Sequence, residues 1–201
     1  MSQHKNRPTN LKPLGVTCTS SDCESGLHCF KKSNSMSESE RGRCRSCGAE
    51  LIDWERVHKR DLQDAKFTFE ALKYEMVRHH FWHKSVDQRA ENHARRKGRI
   101  KLHEAVRKRL EKSVGPANPP FDGRQTPDEG NIIYYAQHAL ACCCRTCMNY
   151  WHGVPKDVPL SDEQINYFAE LVMMYVHERM PDLTEEGERV QPIRHIRATR
   201  A

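Results

Sequence analysis

The sequence is short of the material that builds large cores, membrane spans and sheets. Of its 201 residues only 37% are hydrophobic and 7% aromatic, and the mean hydropathy is −0.86. This suffices for a modest core and excludes a large single one. No run can span a bilayer. The most apolar helix-like stretch, Tyr167 to Val176, carries Glu170 and is too short, so no membrane partner is expected. The opening residues MSQHKNRPTN lack an apolar segment, which argues against a secretory leader and for a cytoplasmic location. Strand-type alternation is almost absent outside the first cysteine cluster, so the expected fold is mainly α, with a small zinc-ribbon-like module at the N-terminus.

Against this background the nine cysteines stand out. Five lie between Cys18 and Cys47 and four between Cys142 and Cys147. In a reducing compartment such clusters point to metal rather than to disulfides.

The positive charge is equally local. The whole chain carries +6, while Arg89 to Lys112 holds ten Lys/Arg against three Glu, a net of +7. A concentrated cationic segment suggests an anionic partner, nucleic acid being the commonest. Arg95, Arg96, Lys97, Arg99, Arg107 and Lys108 are the candidate phosphate contacts. The competing reading is a solvated helix face.

Periodicity and breakers divide the chain. Residues 1–17 read as a disordered lead-in and 18–53 as the cysteine module, with a Ser-rich loop at 31–43. Residues 54–113 read as helical: Asp53 is placed to cap a helix at Trp54, and one long helix is expected from about Asp61 to His83 on the stripe Leu62, Phe69, Met76. A second, bent at Gly98, buries Leu102, Val106 and Leu110. Residues 114–131, rich in proline and glycine, form a linker or ordered loop. Residues 132–182 are helical again, with a capping box at Ser161 and Gln164, and 183–201 are a polar tail.

Zinc prefers four thiolate or imidazole ligands in a tetrahedron. Cys44-x2-Cys47, followed by Gly48, supplies two from one turn. The other two must come from Cys18, Cys23, Cys29 or His28, and spacing alone does not choose among them. Four of the five cysteines as ligands is the working expectation.

His79, His80 and His83 end the long helix, with Glu75 a turn before His79 on the same face. They suit either a catalytic metal or a partly exposed aromatic patch with Phe81 and Trp82. In the C-terminal half, His138, Cys144, Cys147 and His152 make a plausible second metal site. A continuous helix would misalign His138, because six residues turn it about 240° net, so a chain break near the cysteines is expected. The alternatives are buried thiols acting as small hydrophobes, an iron–sulfur cluster and a catalytic or redox thiol.

The segments Asp122-Gly123-x-Gln125-Thr126-Pro127, Ala136 to Ala139, Cys143 to Arg145, Cys147 and Trp151-His152-Gly153 resemble an uncharacterised bacterial family, domain of unknown function 4186. The chain departs from that pattern at Leu140, Cys142 and Val154. The resemblance spans about residues 95–182 and implies no activity. From the residues themselves the expected function is a zinc-stabilised, nucleic-acid-associated binding protein. The alternatives are a metal-dependent hydrolase, using the Cys/His site or the histidine-rich helix, and a protein–protein adaptor.

Overall fold

Local capping signals set most helix starts. The computed structural model describes residues 15–191 and 193. The expected lead-in up to residue 14 and most of the tail after 191 lie outside the described residues. Among these, α1 spans Trp54–Lys59, α2 Ala65–Leu72, α3 Met76–His83, α4 Gln88–Ser113, α5 Ile132–Ala139, α6 Arg145–His152 and α7 Asp162–Arg179. Asp53 caps α1 by accepting from Arg56 N–H, Asp87 caps α4 from Ala90 N–H, and Ser161 and Gln164 form the capping box of α7. The described residues contain no strand, only isolated bridges between Asp22 and Leu27 and between His28 and Glu75.

The helices share one hydrophobic core. α3 packs on α5, α4 and α5 on α7, and α1 on α6. Leu102, Val106 and Leu110 of α4 are fully buried, as their spacing predicts. Phe69 and Trp82 meet edge to face at 4.4 Å, and Tyr175 of α7 donates to Phe81 O at 2.9 Å.

The long helix expected from Asp61 to His83 is broken. Glu75 is extended, with φ −88° and ψ 126°, because its neighbours pair with another chain segment. His28 N–H donates to Tyr74 O at 2.8 Å and Met76 N–H to His28 O at 2.9 Å. The break removes Leu62 and Met76 from the stripe: Leu62 is exposed and Met76 half-buried, while Ala65, Phe69 and Leu72 remain inside. The expected break near the C-terminal cysteines is present at Leu140–Cys144, where Ala141 takes φ 53°.

α4 kinks at Gly98, whose φ of 64° suits glycine. Part of the expected polar tail fills the kink: Arg99 N–H donates to Thr184 O at 2.9 Å and Glu188 N–H to Arg95 O at 2.9 Å. A Cβ on Gly98 would collide with the Glu186 carbonyl carbon.

Candidate metal centre

Cys44 to Gly48 forms a tight turn: Gly48 N–H donates to Cys44 O and Cys44 N–H to Ala49 O, both at 2.8 Å, and Gly48 takes φ 75°. The turn brings the Cys44 and Cys47 sulfurs to Cys23 Sγ and a His28 ring nitrogen, with all four ligand atoms within 4.8 Å of one another. Cys23 Sγ and Cys44 Sγ are 3.7 Å apart, and Cys47 Sγ and His28 Nδ1 3.5 Å. Ligands about 2.3 Å (sulfur) and 2.0–2.1 Å (nitrogen) from a tetrahedral ion sit roughly 3.8 and 3.5 Å apart. The observed spacings therefore fit zinc.

The electrostatics fit as well. Burial disfavours the Cys44 thiolate, but backbone N–H groups of Cys29, Cys47 and Ser46, with His28, outweigh it and bring the thiol down to about 6. Burial and the adjoining Cys47 and Cys44 push Cys23 up to about 12. Crowded thiols that resist joint ionisation are what a bound divalent cation relieves.

Two of the five cysteine candidates lie elsewhere. Cys29 is buried and points its thiol at Cys18 O, 3.4 Å away. Cys18 is half-buried on the other side of the module, where the neighbouring Cys147 brings its thiol down to about 6. The residue that lies with Cys23, Cys44 and Cys47 instead is His28.

His28 and Phe30 fasten this module to a buried ion pair. Glu75 and Arg78 are both fully buried, with Arg78 Nε donating to Glu75 Oε2 at 2.9 Å. Glu75 also accepts from Phe30 N–H at 3.1 Å, Tyr150 O–H at 3.0 Å and Trp151 Nε1 at 2.6 Å. Arg78 further donates to His138 O at 2.6 Å, Tyr150 Oη at 2.9 Å and Cys147 Sγ at 3.2 Å, and lies 3.9 Å from Cys143 Sγ. Burial opposes the charge of Arg78, but Tyr150, Cys147, Glu75 and Cys143 hold its pKa above the ordinary value. The sequence pattern sets Glu75 beside His79 and does not single out Arg78. Their spacing of three at a helix start is the signal that could have found the pair.

The second site expected from His138, Cys144, Cys147 and His152 is not assembled. His138 stacks on Phe81 at 4.4 Å and donates from Nε2 to Thr126 O at 3.2 Å. His152 is fully buried and its Nε2 donates to Leu140 O at 2.9 Å. Burial lowers the two pKa values to about 4 and about 3. Cys144 and Cys147 do converge, but with Cys143, the three sulfurs lying within 4.8 Å of one another. Cys144 Sγ caps α6 by accepting from Cys147 N–H at 3.4 Å. The Cys143 thiol beside Cys144, together with desolvation, makes Cys144 hard to ionise and pushes its pKa up to about 12.

The expected linker residues hold this cluster in place. Asp122 accepts from Thr146 N–H at 3.2 Å and Thr146 O–H at 2.7 Å, and Thr126 O–H donates to Cys143 O at 2.8 Å. Burial alone would raise the Asp122 pKa, but hydrogen bonds from Lys156 and Thr146 hold it at about 2. Arg145 is buried and donates to the carbonyls of Val114, Pro155 and Val158.

The histidines of α3 are not part of either cluster. His79 and His83 lie 4.2 Å apart beside an apolar groove with Val16, Leu27 and Met76. On α4 the candidate cations divide. Arg95 pairs with Asp182 at 2.6 Å and Glu188 at 3.1 Å, Arg99 with Glu185 at 3.4 Å, and Arg107 with Glu111 at 3.6 Å. Among the described residues Arg96, Lys97 and Lys108 have no carboxylate partner.

No helix among the described residues is long and apolar enough to cross a membrane, and no solved structure matches the chain. Residues 66–177, more than half of the chain, match the family described as a domain of unknown function, DUF4186. The match opens in α2 rather than near residue 95, so it includes Glu75, Arg78 and the histidine-rich α3, which the sequence resemblance leaves outside. The Cys23–Cys47 module precedes it. The chain belongs to the DUF4186 family.

Proposed function

We propose that the protein is a zinc-stabilised binding protein, in which the ion held by Cys23, His28, Cys44 and Cys47 is structural. What supports this is the completeness of the set: four candidate ligand atoms lie within 4.8 Å of one another, and the two closest pairs, at 3.7 and 3.5 Å, match tetrahedral spacing. Such a site leaves no coordination position for a reacting water, which favours binding over hydrolysis. Its work is mechanical. By ordering His28, the ion holds the backbone bridge that splits α2 from α3 and delivers Phe30 N–H to Glu75.

We infer further that nucleic acid is the partner and that α4 meets it through Arg96, Lys97 and Lys108. What supports this is that these cations lack intramolecular carboxylates among the described residues, whereas Arg95 and Arg99 are engaged by the tail. The test joins the two parts. Cys44→Ser/Cys47→Ser should lose one zinc per chain, and the wild type should retard DNA or RNA at low salt. Unchanged zinc in the variant overturns the first part, and no retardation of either nucleic acid overturns the second.

A further inference from the structure

We propose that Cys18, Cys143, Cys144 and Cys147 form a second metal site, holding one divalent thiophilic ion through four sulfurs. Three observations carry it. First, the sulfurs of Cys143, Cys144 and Cys147 lie within 4.8 Å of one another, and Cys18, arriving from the other end of the chain, lies beside Cys147 at the rim of that cluster. Three converging thiols are thus joined at one side by a fourth from a segment far away in sequence. Sulfurs this close suit a single tetrahedral ion, whose ligands sit roughly 3.8 Å apart, better than the wider spread of a four-iron cluster.

Second, the Arg78 guanidinium is aimed at them. It is fully buried, its Nη2 lies 3.2 Å from Cys147 Sγ and its Nη1 3.9 Å from Cys143 Sγ. A neutral thiol is a weak acceptor, and a buried cation gains little from one. A metal-bound thiolate is a strong acceptor, and hydrogen bonds to ligand sulfurs are how surrounding residues tune such sites. Third, the turn is shaped for ligation. Ala141 in the left-handed region reverses the chain after α5, and Cys147 N–H donates to Cys144 Sγ at 3.4 Å, as in a C-x-x-C metal turn.

Cys18 gives the site a consequence. It lies outside the family match while the other three ligands lie within it. A shared ion would clamp the N-terminal segment onto the DUF4186 domain, independently of the Cys23–His28–Cys44–Cys47 site.

The test uses the full chain with cadmium in place of the native ion, read by cadmium NMR, whose shift reports the number of sulfur ligands. Two resonances are expected, one from three sulfurs and one nitrogen, the other from four sulfurs. Cys18→Ser, at the rim of the cluster, should shift or abolish only the four-sulfur resonance. Cys44→Ser/Cys47→Ser should abolish only the other, so the two sites fail separately. A wild type without a four-sulfur resonance, or with one untouched by Cys18→Ser, overturns the proposal. Because Cys18 is half-buried, its variant keeps the test valid even where Cys143→Ser fails to fold.

Discussion

Arg78 donates to Glu75 from the first turn of α3, and neither side chain reaches solvent. Glu75 receives Phe30 N–H from the cysteine module and Tyr150 and Trp151 from α6. The pair is thus the junction where the module, the broken helix and the C-terminal motif meet.

Removing one partner leaves the other charged and buried. Glu75→Gln should destabilise the protein by about 3–5 kcal/mol, read as a lower denaturant midpoint at unchanged slope. Arg78→Met on top of it should recover part of the loss, as a double-mutant cycle shows. A Glu75→Gln variant within about 1 kcal/mol of wild type, in the ordinary range for surface substitutions and mild defects, counts against this junction.

His138 links acid sensitivity to burial rather than to metal. Burial first, and the charge of Arg78 second, lower its pKa from 6.5 to about 4. Below the unfolded value the unfolded chain takes up the proton first. The stabilising contribution is therefore whole above pH 6.5 and declines as pH falls toward 4. The decline amounts to at most about 3 kcal/mol. His138→Gln, which keeps an N–H for Thr126 O, should flatten that limb of a stability–pH profile and leave metal content unchanged. Loss of metal in the variant would restore His138 as a ligand.

The fold is legible where its causes are local. The α4 stripe of Leu102, Val106 and Leu110 and the Ser161–Gln164 capping box follow from neighbours within a turn or two. The interruption at Glu75 is not legible, because its cause is a backbone pairing to His28, far away in sequence. The same holds for the ligands. Cys44 and Cys47 announce themselves as a turn, whereas the choice of Cys23 and His28 over Cys18 and Cys29 depends on how the loop folds back. Cys143 belongs to the family-like pattern, yet its place in the thiol cluster cannot be read from sequence, since three successive cysteines do not say which way each points.

Gly98 is a tight place. Gly98→Ala would drive a Cβ into the Glu186 carbonyl carbon, at a φ of 64°. A cost of about 1–3 kcal/mol is expected, together with faster proteolysis within residues 183–191. Wild-type proteolysis would show that the tail does not rest in the kink.

Nucleic-acid binding should depend on the unpaired cations. Arg96→Glu/Lys97→Glu/Lys108→Glu should weaken binding. Each phosphate that the variant no longer neutralises should lower the slope of log K against log salt by about 0.9. Retardation by the triple variant equal to wild type would move the interface away from α4.

The proposed zinc site takes His28, and not Cys29, alongside Cys23, Cys44 and Cys47. Zinc retained after dialysis against a chelator tests it directly, in His28→Ala and Cys29→Ser side by side. The structure predicts that Cys29→Ser keeps all the zinc of the wild type and that His28→Ala loses one ion per chain. The opposite pattern, zinc lost with Cys29 and kept without His28, would contradict it.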